Sequence, residues 1–215
     1  MNVLLTTLAA IGLVLSEVYQ SHDKEDPATM NPLFHFEEDG GDWQIIDDGV
    51  MGGVSRGSWS VSEGVGIFSG SLSLENNGGF SSVRSRPLPE APSGATAFRL
   101  RIKGDGRTYQ FRARTDASFD GASYQAEFGT KAGEWQEVSL AMEDFKAVFR
   151  GNVLRGYPAL SGDRVVTVGF LLADKQAGPF RLEVDWIELA KKDLKDLKDL
   201  KDEKDLKDKK DLCGL

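Results

Sequence analysis

The stretch Phe98-Arg-Leu-Arg-Ile-Lys103, Gly104-Asp105-Gly106, Arg107-Thr-Tyr-Gln-Phe-Arg-Ala-Arg114 alternates apolar and polar residues on both sides of a glycine-rich turn. Period two is the mark of a half-buried β-strand, because successive side chains of an extended chain point to opposite faces. The two glycines tolerate the positive φ of a tight turn. The stretch is therefore predicted to be a β-hairpin with Phe98, Leu100, Ile102, Tyr109, Phe111 and Ala113 toward a core. Arg99, Arg101, Lys103, Arg112 and Arg114 then share the opposite face.

Working outward, further strands are predicted at 58–62, 66–74, 80–85, 123–128, 135–140, 165–173 and 180–189, separated by glycine-rich turns. The last of these puts Phe180, Leu182, Val184 and Trp186 on one face and Arg181, Glu183 and Asp185 on the other. Val165-Val-Thr-Val-Gly-Phe-Leu-Leu172 is apolar nearly throughout and reads as a central strand covered on both faces. No amphipathic helix is predicted between Leu33 and Leu189, beyond a turn at 142–148. Many short, evenly spaced strands indicate an all-β fold, an antiparallel sandwich or jelly roll, over residues 33–190.

Outside that domain the composition changes. Val3 to Leu15 is a mostly apolar run, too short for the roughly 17 to 25 residues of a bilayer-spanning helix and the right length for the apolar part of a secretory signal. Residues 1–16 are thus expected to be a signal or short anchor, which points to an extracytoplasmic or membrane-anchored location and to no stable transmembrane span. Against a signal stand the lack of any Lys or Arg before the run and the weak cleavage pattern Val14-Leu15-Ser16. An apolar helix belonging to the fold, or a misassigned gene start, are the alternatives. Residues 17–32 are polar, carry two prolines and read as a linker. Residues 191–215 form a charged array of Lys-Asp-Leu triplets whose leucines, three apart, drift around a helix and build no apolar face. Disorder or a solvated helix is expected there.

The 215 residues carry 26 Lys and Arg against 34 Asp and Glu, a net charge of -8, which disfavours a nucleic-acid binder that neutralises phosphates. Residues 191–212 hold nine Lys against eight acidic residues, so the acidity belongs to the rest of the chain. The single cysteine, Cys213, excludes an internal disulfide framework and any zinc site built on two thiolates, and only His22 and His35 remain for imidazole chemistry. No cofactor is called for.

Gly53-Val-Ser-Arg-Gly57 fits the G-x-S-x-G pattern of a nucleophile elbow, but an elbow needs a helix after it, whereas Ser58-Trp-Ser-Val-Ser62 is strand-like and both histidines precede Ser55. It is read as a turn, and the chain as a non-enzyme. Asp47 and Asp48 are adjacent and followed by Gly49, Gly52 and Gly53. They suit turn capping, or less well a calcium ion, since the alternating oxygen ligands of a calcium loop are missing. The arginines of the hairpin face require counter-charges, because like charges paired across strands destabilise a sheet. Glu127, Glu183 and Asp185 on neighbouring strands would supply them; otherwise the face is an anion-seeking patch. Trp59, Trp135 and Tyr157 are aromatics able to stack on a ligand, although core burial is expected for both tryptophans.

Four strings carry a resemblance: Trp43-Gln-Ile-Ile-Asp-Asp-Gly-Val-Met-Gly-Gly-Val-Ser55; Phe68-Ser-Gly with Leu72 and Leu74; Asn76-Asn-Gly-Gly-Phe-Ser-Ser-Val-Arg-Ser85; and Gly178-Pro-Phe-Arg-Leu-Glu-Val-Asp-Trp-Ile187. Together, in this order, they resemble the complex I intermediate-associated protein family. The resemblance implies a galactose-binding-like jelly roll and a non-catalytic, chaperone-like role. Its mitochondrial members assemble respiratory NADH:ubiquinone oxidoreductase, so the implied partner is a protein, a respiratory subunit or assembly intermediate, and the implied location mitochondrial. A carbohydrate- or small-ligand-binding sandwich is the alternative, by fold analogy. Asp48, Gly49, Gly52, Gly53 and Arg84, with Arg99, Arg101, Arg112 and Arg114, form the candidate partner- or ligand-binding set. The shared glycines and Arg84 either line a docking end of the sandwich or form a structural corner with Arg84 paired to Asp47 or Asp48.

Overall fold

The computed structural model describes residues 31–37, 42–118 and 120–191. The N-terminal apolar run, most of the linker, His22, the triplet array beyond Lys191 and Cys213 lie outside the described residues. Thirteen strands are present among the described residues: β1 (Asn31–His35), β2 (Trp43–Asp47), β3 (Arg56–Ser62), β4 (Val65–Leu72), β5 (Ser81–Ser85), β6 (Ala95–Lys103), β7 (Thr108–Arg114), β8 (Ser123–Gly129), β9 (Trp135–Ala141), β10 (Lys146–Phe149), β11 (Asn152–Val153), β12 (Thr167–Leu172) and β13 (Gly178–Lys191). They form two antiparallel sheets. One has six strands in the order β3-β4-β13-β6-β9, with β1 also paired to β13; the other has seven, in the order β11-β10-β8-β7-β12-β5-β2. The molecule is a β-sandwich of jelly-roll type.

The predicted inward set is buried: Phe98, Leu100, Ile102, Tyr109, Phe111 and Ala113 are sealed from solvent. Phe98 meets Phe111 edge-on at 5.0 Å across the two sheets, and Phe111 meets Phe170 at 5.3 Å within one. Each such phenylalanine contributes about 1.5–3 kcal/mol by burial. At one flank, Trp43 of β2 stacks on Trp59 of β3 at 4.6 Å and ties the edges of the two sheets together.

The hairpin is not formed. β6 lies between β13 and β9 in the six-stranded sheet, while β7 lies between β8 and β12 in the seven-stranded one. The turn at 104–106 thus carries the chain from one sheet to the other, and the inward faces of β6 and β7 oppose each other. Alternation fixes which side chains are buried but is silent on the pairing partner. The consequence for the basic face is direct: Arg99, Arg101 and Lys103 lie on one outer surface of the sandwich, and Arg112 and Arg114 on the other.

A second correction concerns β13. Its register shifts between Val184 and Trp186 against β6, so alternation changes phase there. Phe180, Leu182 and Val184 are inward, then Ile187 and Leu189, while Trp186 turns out. A bulge of one residue does this without breaking the strand. The predicted turn at 142–148 resolves into a 3-10 turn at Met142–Asp144 followed by β10. β12 is central, between β5 and β7, as its apolar run predicts.

Candidate functional site

Three groups of the predicted site residues are found in three places. The first is a corner. The Asp48 carboxylate is fully buried. It accepts hydrogen bonds from Ser55 N (3.0 Å), Ser55 Oγ (2.5 Å), Gly79 N (2.7 Å) and Phe80 N (3.3 Å). One side chain thereby fastens the 48–55 segment to the 76–80 segment. A Cβ on Gly53 would collide with the Asp48 carboxylate, which is why glycine is required there. Asp47 is engaged separately, by Gly57 N (2.8 Å) and Ser81 Oγ (2.6 Å). Burial pushes the Asp48 carboxyl up, and the bonds from Ser55, Gly79 and Phe80 overcome this and hold it below its ordinary value.

These donors bear on two sequence expectations. N–H and O–H groups converging on Asp48 present positive ends where a calcium ion would sit. Among the described residues no group of three or more His, Cys, Asp or Glu is placed to hold a metal ion. Ser55 is itself buried and gives its hydroxyl to Asp48, and it immediately precedes β3 rather than a helix. A nucleophile elbow is not built. Neither Asp47 nor Asp48 is bonded to Arg84, which instead occupies the outer face of β5, in register with Gly169.

What the sequence reading missed is the tip of this corner. Met51 is 64% exposed, Val54 43% and Leu74 46%: two apolar side chains on the 48–55 segment that Asp48 fastens, and a third next to Ser73, whose backbone N–H donates to Ser55 Oγ at 3.0 Å. Apolar residues set among glycines in a turn have no core to enter, and that was the available signal.

The second group is the outer face of β6, β9 and β13. Arg99 pairs with Glu137 at 3.2 Å, Arg101 with Asp185, and Lys103 with Glu183 at 2.6 Å. Every cation of this row has its counter-charge on a neighbouring strand, as the compensated alternative requires. Trp135 is exposed, not buried, because it shares the outward side of β9 with Glu137. Arg101 and Lys103 each lie 5.0 Å from its ring centroid, and Arg99 lies 5.9 Å from that of Trp186. Exposed cation–π contacts of this kind contribute about 0.5–1 kcal/mol each. Trp59 packs against the core and Tyr157 is exposed beside Tyr124.

The third group is the outer face of the seven-stranded sheet. One row of register runs Gln44, Arg84, Gly169, Arg112, Gln125, Lys146 across six strands. A Cβ on Gly169 would collide with the Val83 carbonyl oxygen, so the position between the two arginines stays open. A cleft of ≈ 40 Å³ lies there, lined among others by Ser82, Arg84, Arg112, Arg114, Thr167 and Gly169. Arg112 donates to Ser123 Oγ and Gln125 Oε1, both at 3.0 Å, and Arg114 to the Ser118 carbonyl at 3.2 Å. Glu127, the predicted counter-charge, is bonded to Gln110 instead.

The profile of the family described as Complex I intermediate-associated protein 30 matches residues 33–184. The mouse (Mus musculus) protein named "Complex I intermediate-associated protein 30, mitochondrial" is 29% identical over 179 residues, covering 72% of this chain and 53% of its own length. The Drosophila melanogaster protein of the same name is 25% identical over 170 residues, covering 68% and 57%. The chain thus spans about half the length of these relatives. Among solved structures, the family 11 carbohydrate-binding module of a Clostridium thermocellum cellulosomal cellulase superposes with a TM-score of 0.60 at 17% identity, over 76% of this chain and 95% of that one. That likeness is one of fold.

Proposed function

This chain belongs to the complex I intermediate-associated protein 30 family, and from that membership we propose that it is a non-catalytic, chaperone-like assembly factor for respiratory NADH:ubiquinone oxidoreductase, holding an assembly intermediate through the tip of its braced corner. The observation that carries the reading is the exposure of Met51 and Val54 on a segment fastened by the Asp48 carboxylate, and of Leu74 next to Ser73, which is bonded to Ser55 of that segment. All three residues fall within the stretch matched by the family. A rigid apolar tip loses little conformational freedom on docking, so most of its burial is available as affinity.

The fold neighbours named as carbohydrate-binding modules supply a competing idea, and the two outward tryptophans oppose it. Sugar stacking needs an open ring face, whereas Trp135 lies under Arg101 and Lys103, and Trp186 under Arg99.

The test is capture of the tagged full chain from gently solubilised respiratory membranes, comparing wild type with the double variant Met51→Asp, Leu74→Asp. Both positions are exposed, so stability is expected to stay within about 0.5 kcal/mol. Complex I subunits should co-purify with wild type and fall at least tenfold with the variant. Their absence from the wild-type capture, or equal capture by the variant, overturns the assignment.

A further inference from the structure

Met51 and Met142 are the two methionines among the described residues, and the fold treats them oppositely. Met142 is buried and packed into the core. Met51 ends the 3-10 turn Asp48–Met51 and is largely exposed. Its chain neighbours leave it bare: residues 49, 52 and 53 are glycines, and a Cβ on Gly49 or Gly52 would meet nothing within 4 Å, so open space lies on either side of the methionine. Among the described residues no thiol competes with it, because the single cysteine, Cys213, lies outside them. The Met51 thioether is therefore the most accessible soft nucleophile of the described sandwich. It also stands apart from the brace beneath it. The Asp48 carboxylate is held by Ser55, Gly79 and Phe80, and no atom of Met51 takes part. A change at the sulfur thus alters the polarity of the tip and leaves its support in place.

We propose, resting on the assembly-factor reading above, that Met51 is a modification site: hydrogen peroxide converts it to the sulfoxide, and the sulfoxide releases the assembly intermediate held by the tip. The sulfur lone pair attacks one peroxide oxygen; an S–O bond forms as the O–O bond breaks, and the second oxygen leaves as water with both protons. Sulfur gives up two electrons and the peroxide takes them. Oxidation replaces a flexible apolar side chain by a polar, chiral one, whose S–O dipole has to shed water before it enters an apolar contact. The change is reversible, since the thiols of a methionine sulfoxide reductase remove the oxygen as water and become a disulfide.

The tagged full chain is treated with hydrogen peroxide, freed of it, and used for capture from gently solubilised respiratory membranes beside an untreated sample. Peptide mass spectrometry should find Met51 oxidised roughly tenfold faster than Met142, in the order of their exposure. Capture of complex I subunits by the treated chain should fall about tenfold, and methionine sulfoxide reductase should restore it. Tm should move by less than about 2 °C, since the bracing bonds are untouched. In Met51→Leu, which keeps Met1 and Met30, peroxide should not lower capture below that variant's own untreated level, and the loss is then assigned to this sulfur. Equal capture by treated and untreated wild type, an equal fall in Met51→Leu, a larger shift in Tm, or Met51 oxidised no faster than Met142 overturns the role of Met51 alone and leaves the assembly-factor reading standing. Absence of complex I subunits from the untreated wild-type capture overturns that reading, and the role of Met51 with it.

Discussion

Asp48→Ala is expected to lower the melting temperature by roughly 10 °C. The carboxylate is sealed from solvent and accepts four hydrogen bonds, three from backbone N–H groups that the corner cannot redirect. Hydrogen bonds to a charged acceptor contribute about 1.5–3 kcal/mol each, and orphaned buried donors carry a desolvation penalty of similar size. Partial rehydration of the corner limits the loss to about 3–4 kcal/mol. For a chain of this length each kcal/mol corresponds to about 2–4 °C. Asp48→Asn should recover little, because its amide nitrogen must face one of the same N–H donors. Gly53→Ala should also destabilise on its own, by collision with the Asp48 side chain, and much less in the Asp48→Ala background. Thermal unfolding of the three single variants and the double variant checks this, and a shift below about 2 °C for Asp48→Ala would remove the corner's bracing role. Capture of complex I subunits should weaken in parallel, since the apolar tip is held in place by this side chain.

The same group contributes to acid sensitivity. The folded-state pKa of Asp48 is depressed, so its contribution is fully present above the unfolded carboxylate range near 4 and is lost as pH falls toward the folded value. Asp174 and Glu183 are depressed as well: burial raises each, and bonds from Arg107 and Gln176, or from Lys103 and Arg181, outweigh it. Stability should therefore be nearly flat from pH 5 to 7 and fall steeply below about pH 4. Urea midpoints measured across that range test the sign. Asp48→Ala should flatten the acid limb.

How much of this was legible in the sequence differs by level. Inward and outward positions of β6 and β7 followed from alternation alone, and all six predicted core side chains are buried. The pairing of those strands did not follow, because a turn of Gly104-Asp105-Gly106 serves a hairpin and an inter-sheet crossing equally well. Placing Arg99 and Arg112 on one face was the price of that ambiguity. Trp186 was misplaced because a bulge leaves no residue signature while reversing every later side chain. In the candidate site, Asp48 and its glycines were recognisable as a unit, but the direction of the carboxylate was not: its ligands, Gly79 and Phe80, are more than thirty residues away. Arg84 and Arg112 come together only through Gly169 on β12, a strand-interior glycine whose meaning depends on which neighbours flank it.

Arg107→Ala is expected to cost about 3–5 kcal/mol, the other large effect in this molecule. Arg107 Nε donates to Asp174 Oδ2 at 2.8 Å and Nη2 to Asp174 Oδ1 at 2.6 Å, with the side chains 10% and 7% exposed. The same guanidinium reaches the Pro179 carbonyl at 3.1 Å and the Gln176 carbonyl. Asp105, on the same turn, accepts from Tyr109 Oη at 3.0 Å and from Arg181 N at 2.8 Å. Arg107 follows the crossing from β6 to β7, and Asp174 lies on the crossing from β12 to β13; each crossing joins one sheet to the other. The forked pair therefore clips the two inter-sheet connections together at one end of the sandwich. Removing the arginine leaves a buried carboxylate uncompensated, whereas removing both charges does not. Arg107→Met combined with Asp174→Leu should consequently recover most of what Arg107→Ala loses, and Arg107→Lys should recover little, because an ammonium cannot bridge both oxygens and both carbonyls in one plane. Urea unfolding of the three variants decides it: a loss under about 1 kcal/mol for Arg107→Ala, at the level of an exposed pair, would mean that the sheets are held by their aromatic core alone and that the clip is incidental.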